Sequence, residues 1–189
     1  MIKIGITGSL ASGKTTASNI ISTHNGPLFS ADKVVKKFYR NRHFKRLVSK
    51  KLKLKINSKF KELLKSNILQ KKHTLKKLEK IIHPLVRKKM FDFIKRNKNK
   101  KILFLEIPLL VESKLMKYFD VILLIKSNKI LRLKRYKAKK GDIRLFNLLD
   151  KQQLNANKKI KYCNHVIINN KTLAVFKKKL LNIIKKYEW

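Results

Sequence analysis

Gly8-Ser9-Leu10-Ala11-Ser12-Gly13-Lys14-Thr15 is the stretch that decides the fold of this chain. Its spacing is G-x-x-x-x-G-K-[ST], in which glycines let the backbone curl until several N–H groups converge on phosphate oxygens. Upstream, Ile2 to Thr7 reads IKIGIT, a β-branched run suited to a buried parallel strand. Downstream, Lys14 to His24 carries Ala17, Ile20 and Ile21 at helical spacing. Strand, loop and helix in that order aim the positive end of a helix dipole at the phosphates of a nucleoside triphosphate. Lys14 is placed to reach the β- and γ-phosphates, and the Thr15 hydroxyl to hold Mg²⁺. A chance match in a lysine-rich chain is the competing reading. Only five glycines are present, however, and two fall at the required positions.

Working outward, Pro27 to Ala31 (PLFSA) reads as a second short strand whose C-terminal end delivers Asp32. From Lys33 to Arg96 the pattern is helical and lysine-rich, with apolar stripes from residues such as Leu64, Ile68, Leu75 and Leu78. Ile102 to Ile107 and Val121 to Ile125 are strongly apolar third and fourth strands. Ser127 is the expected N-cap of a helix running to about Lys140, and a basic stretch continues to about Lys161. Val166 to Ile168 gives a fifth strand, and Thr172 to Tyr187 a closing helix. Short strands alternating with helices predict an α/β fold around a five-stranded parallel sheet.

Composition bounds the function. At 189 residues the chain has the length of one domain with room for an insertion. Fifty Lys+Arg against ten Asp+Glu give a formal charge of +40, which suits either a polyanion partner or a surface drifted toward lysine. The lysines occur in almost every segment, and Asn and Ile are abundant too, a pattern that A/T-rich codons produce. A dedicated nucleic-acid patch clusters on one element, so no specific nucleic acid is expected. Cys163 is the single cysteine; an intramolecular disulfide is excluded, and no Cys/His cluster has metal-site spacing. The N-terminus starts in a strand-like run and the apolar stretch Ile102 to Val111 is too short to span a bilayer. A soluble, cytoplasmic protein without membrane contact, monomeric or weakly oligomeric, is the expectation.

A P-loop does not identify the acceptor of a phosphoryl group. Asp32, at a strand end where ligands gather in open parallel sheets, is placed to take or orient a hydroxyl proton; capping a helix is its alternative job. Five segments together resemble dephospho-CoA kinases, in that family's order. They are Gly5 through Thr16, Ala31-Asp32, Leu75 through Val86 with His83-Pro84, Pro108-Leu109-Leu110-Val111-Glu112, and Val166-Ile167-Ile168-Asn169. Leu133-Lys134-Arg135 resembles the start of the family's lid. The likeness covers nearly the whole chain.

The resemblance implies a P-loop kinase three-layer sandwich that phosphorylates the ribose 3′-hydroxyl of dephospho-CoA with ATP and Mg²⁺. It implies a nucleotide-binding core of residues 1–32, 100–126 and 162–189, a helical CoA-binding insertion of 33–99, and a lid of 127–161. Gly8, Ala11, Ser12, Gly13, Lys14, Thr15 and Thr16 would hold ATP, with Arg135 and Lys139 reaching it from the lid and Asn169 near its adenine. Asp32, Lys14 and Arg135 would carry the transfer. His83, Pro84, Lys61, Leu109 and Glu112 would bind the acceptor. Glu106 stands where many P-loop kinases carry an acid for the Mg²⁺ shell, beside Thr15.

Several positions depart from the family pattern. Ser30 replaces the first Asp of D-A-D, and Lys36, Lys61 and Lys139 stand where arginine is expected. Lysine keeps the charge and loses the planar two-point fork. Lys139→Arg is therefore expected to raise turnover in steady-state assays; an unchanged or lower rate would count against a phosphate role there. Three alternatives remain open from the residues: a nucleoside monophosphate- or shikimate-type kinase, a basic P-loop nucleic-acid-binding protein, and an inactive relative. The insertion with His83-Pro84 argues against the first, and intact Gly8, Gly13, Lys14, Thr15 and Asp32 against the last.

Overall fold

A computed structural model describes residues 1–71 and 73–187, apart from the side chains of His24 and Asn25. Residue 72 of the expected insertion and residues 188–189 of the expected core lie outside the described residues. The chain divides into two compact units, Met1–Ser30 with Ile94–Trp189, and Ala31–Phe93.

In the first unit, β1 (Ile2–Gly8) leads into α1 (Lys14–Asn25) and β2 (Leu28–Ser30). The chain returns to this unit for β3 (Ile102–Glu106) and β4 (Val121–Lys126), and finishes with β5 (His165–Ile168). Among the described residues these five strands form one parallel sheet in the order β2-β3-β1-β4-β5. β1 is central because its apolar residues are wanted on both faces. Ile4 and Ile6 join Phe104, Leu123 and Ile125 under α1 and the closing helix α9 (Leu173–Ile184), through Ala17, Ile21, Phe176 and Leu180. The residues of opposite parity, Leu103, Leu105, Ile122 and Leu124, are buried as well. Gly5 faces that second side, where a Cβ would come within 2.7 Å of Leu110 and 2.9 Å of Phe119. A side chain at position 5 would push away the segment that covers the sheet.

Between β4 and β5 lie α6 (Lys129–Ala138), α7 (Ile143–Gln152) and α8 (Ala156–Ile160), so the basic stretch is helical nearly throughout. The N-cap of α6 is Asn128 and not the expected Ser127: the Asn128 side chain accepts from the Leu131 N–H at 2.8 Å. The Ser127 hydroxyl instead donates to the Asn169 carbonyl at 3.0 Å, tying the ends of β4 and β5 together. The closing helix is capped by Thr172 and tightens into a 3₁₀ turn at Lys185–Tyr187.

The second unit is helical: α2 (Ala31–Phe38), α3 (Arg42–Leu52), α4 (Phe60–Gln70) and α5 (Thr74–Arg96), whose last turn belongs to the first unit. β2 stops at Ser30, one residue short of the reading, because Ala31 already opens α2 with Asp32 in its first turn, where a carboxylate is favoured by the helix dipole. Phe44, Val48, Phe60, Leu64 and Leu78 form this unit's own core. Phe38 stacks on Phe44 with centroids 5.4 Å apart, and Tyr39 meets the same ring edge-on. Burial pushes the Tyr39 phenol up to about 12. Pro84 lies inside α5 and does not break it, although it supplies no N–H to the Lys80 carbonyl.

Candidate functional site

The loop between β1 and α1 is shaped by three unusual backbone conformations. Gly8 has φ 150°, and a Cβ there would sit 2.3 Å from the Ile125 carbonyl oxygen, so the neighbouring strand excludes any side chain. Gly13 has φ 106°, with the Asn169 amide 2.3 Å from where a Cβ would be. Ala11 has φ 58°, a left-handed conformation that costs an L-residue about 1–2 kcal/mol. Ser12 N–H closes the turn onto the Ser9 carbonyl at 3.1 Å. The Lys14 ammonium bends back to the same carbonyl at 2.9 Å and is nearly buried.

The carbonyls of this loop are held from outside it. Asn169 Nδ2 donates to the Ser12 carbonyl at 2.9 Å, and Arg135 Nη1 approaches that oxygen at 3.5 Å. A trans peptide points its N–H opposite to its C=O, so fixing the Ser12 carbonyl turns the Gly13 N–H away from Asn169. Nothing among the described residues accepts from the N–H groups of Ala11 or Gly13. Helix α1 starts at Lys14 and adds the positive end of its dipole. The result is a positively polarised cradle fit for a polyphosphate.

Under the cradle, the Thr15 hydroxyl donates to Glu106 Oε1 at 2.6 Å. Glu106 ends β3 between Ile6 and Ser30, is fully buried, and its Oε2 has no partner among the described residues. A buried carboxylate oxygen left unpaired beside a threonine hydroxyl fits a hard divalent cation, which takes oxygen ligands and their waters.

Sequence reasoning placed Arg135 and Asn169 at the nucleotide, and both lie against the loop's backbone. Arg135 Nη2 donates to the Asn169 carbonyl at 3.0 Å and Nη1 to Ser127 Oγ at 3.1 Å. Thr16 is exposed on α1, and Lys139 is the exposed C-cap of α6. Leu109 is half-buried. Glu112 is already engaged: Oε1 accepts from the Leu154 N–H at 3.0 Å and pairs with Lys159 Nζ at 2.7 Å. Lys159 has no exposure at all. Lys159→Met is expected to lower stability by about 3 kcal/mol, because it strands the Glu112 carboxylate. Denaturant unfolding measures this, and an unchanged midpoint would refute it.

Four contributors to this region were missed: Arg132, Asp150, Gln153 and Lys159. All lie in the basic stretch, where one cation reads like the next. The available signal was the scarcity of acids, since Asp150 and Glu112 each hold a buried cation.

In the second unit, His83 and Pro84 line an open surface depression with Arg87, Lys88, Phe91 and Asp92, all on α5. Burial raises the Glu79 carboxyl, one turn before His83, against the opposing pull of His83 and Lys76. Lys61 is exposed in the first turn of α4, and Asp32 is exposed in the first turn of α2.

Comparison with known proteins bears on this arrangement. The family model described as dephospho-CoA kinase matches residues 2–174. The dephospho-CoA kinase of Rickettsia typhi is 33% identical over 191 residues, covering 100% of this chain and 98% of the relative. That of Bartonella quintana is 32% identical, with 96% and 95% covered. Among solved structures, TT1252 from Thermus thermophilus superposes with a TM-score of 0.77 at 25% identity over 100% of this chain and 98% of its own. The dephospho-CoA kinase from Campylobacter jejuni shares the fold with a TM-score of 0.64 at 24% identity, covering 98% and 97%.

Proposed function

The chain belongs to the dephospho-CoA kinase family and performs the ATP-dependent phosphorylation of dephospho-CoA to coenzyme A; from that premise we propose how its own residues divide the work. Gly8 to Thr15, with Thr16, hold the triphosphate of ATP. The observation that carries this is that the Ala11 and Gly13 N–H groups have no partner among the described residues while the Ser12 carbonyl is held by Asn169. Lys14 exchanges the Ser9 carbonyl for phosphate oxygens. Arg135 and Lys139 complete the positive surround from the lid, residues 127–161, and Asn169 both steadies the loop and flanks the adenine. The transition state of phosphoryl transfer is loose, so positioning and charge stabilisation dominate.

The helical unit is the acceptor side. His83, Pro84 and Lys61 take the CoA portion, and Leu109 shapes the pocket after β3. Glu112 acts there through the Lys159 pair that anchors α8, not through direct contact. Asp32 orients the ribose 3′-hydroxyl and receives its proton. Thr15 and Glu106 would hold Mg²⁺, which when bound neutralises charge on the β- and γ-phosphates. Glu106→Gln is expected to raise the magnesium concentration for half-maximal activity about tenfold. Nucleotide binding measured without magnesium should not move; if it falls equally, the cation assignment fails.

No described helix is long and apolar enough to cross a membrane. We take the site of action to be the cytoplasm and the +40 charge to be a nonspecific field that favours anionic substrates. The deciding experiment is an ATP-consumption assay with dephospho-CoA beside adenosine and AMP. Turnover with dephospho-CoA alone is expected; turnover with adenosine or AMP but not dephospho-CoA would overturn the acceptor assignment.

A further inference from the structure

Leu10, in the middle of the phosphate loop, is gripped at both of its backbone polar groups. Its N–H donates to Gln153 Oε1 at 2.9 Å, and its carbonyl accepts from Arg132 Nη1 at 3.2 Å. Neither partner is near in sequence. Arg132 belongs to α6 and Gln153 caps the C-terminus of α7. The Arg132 guanidinium is itself fixed: it forks onto both carboxylate oxygens of Asp150 on α7 and lies 5.7 Å from the centre of the Phe146 ring. It is 7% exposed, so this is a built contact and not a surface cation at rest.

The grip falls next to the strained residue. Ala11 holds φ 58°, and such a backbone persists only where its surroundings over-determine it. Because the Leu10–Ala11 peptide is trans, fixing the Leu10 carbonyl against Arg132 turns the Ala11 N–H to the opposite side. That N–H has no partner among the described residues. Asn169 does the same for the next-but-one peptide by holding the Ser12 carbonyl. The Ala11 and Gly13 N–H groups are therefore turned by side chains that bond the carbonyl side of their peptides.

We infer that Arg132 and Gln153 are positioning residues for ATP, clamping the Leu10 peptide so that the Ala11 N–H is aimed before the nucleotide arrives. The inference rests on the reading that Gly8 to Thr15 holds ATP. It makes α6 and α7 a brace for the donor cradle in addition to a cover over it. Preorganised donors matter because they need no reorganisation when charge develops.

The test uses the full chain with Gln153→Leu, which keeps the side chain's bulk and removes the acceptor, and Arg132→Lys. The lysine keeps a charge for Asp150 and loses the fork that reaches Leu10 as well. Each is expected to raise the calorimetric Kd and the KM for ATP about three- to tenfold. The KM for dephospho-CoA should stay within about twofold and Tm within about 2 °C. In the double variant the loss should be smaller than the product of the single losses, since both bonds hold one peptide. ATP binding unchanged in both variants overturns the brace alone. So does a rise of both KM values together with a fallen Tm, which marks general loss of structure. A wild-type chain that binds no ATP overturns the cradle reading and the brace with it.

Discussion

Asp32→Asn is expected to lower kcat with dephospho-CoA by about 10²–10⁴-fold while leaving the Kd for ATP within about twofold. The asparagine fills the same space and still accepts a hydrogen bond, so α2 keeps its first turn. It cannot receive a proton, and it removes a negative charge that would orient the attacking hydroxyl. Asp32 is exposed and two residues beyond β2 in the chain, so the substitution creates no cavity and stability should be nearly unchanged. Single-turnover phosphorylation with saturating ATP measures the chemical step directly. A variant that kept the full rate would remove Asp32 from the mechanism. A variant that lost ATP affinity and little else would move Asp32 to the donor side.

The second large effect is at Lys14. Lys14→Met keeps the aliphatic stem in its nearly buried channel and deletes the ammonium. The expected loss is about 10²–10³-fold in kcat, the usual effect of removing one donor aimed at developing charge. The ammonium's hydrogen bond to the Ser9 carbonyl is lost too, but Ser12 N–H still satisfies that oxygen, so the folded loop should survive. Lys14→Arg is not expected to rescue, because a wider planar head does not fit where a point charge was enclosed. A rise in the KM for ATP with kcat intact would show that Lys14 contributes ground-state binding only.

How much of this was written in the sequence depends on the range of the interaction. The cradle was legible because its signature is local: Gly8, Gly13, Lys14 and Thr15 fall within eight residues, and both glycines do sit at positive φ. The strands were legible as apolar runs, and their parallel arrangement as alternation with helices. The choice of Asn128 over Ser127 as the cap was not legible, since both residue types cap well and the decision fell to a bond between Ser127 and the end of β5. Pro84 gives no local sign that α5 runs through it, since proline more often ends a helix than continues one. The resemblance implied a substrate-binding role for Glu112, and no local pattern revealed that a buried lysine 47 positions later pairs with it. The grip of Arg132 and Gln153 on Leu10 spans more than a hundred residues, and no spacing rule covers such a distance.

The order of strands has a consequence for how the chain is made. β1 finds its partners in β3 and β4, which begin at Ile102 and Val121. A ribosome adds about 5–20 residues per second, so the strand that carries the phosphate loop waits roughly 5–20 s before either neighbour exists. In that interval Ile4 and Ile6 have no sheet to enter. Residues 31–93 meanwhile emerge with a core of their own in Phe44, Val48, Phe60, Leu64 and Leu78. The nascent chain should therefore condense first in its helical middle, with the older β1 segment sheltered only afterwards. For that period it is the segment most exposed to chaperones and to aggregation.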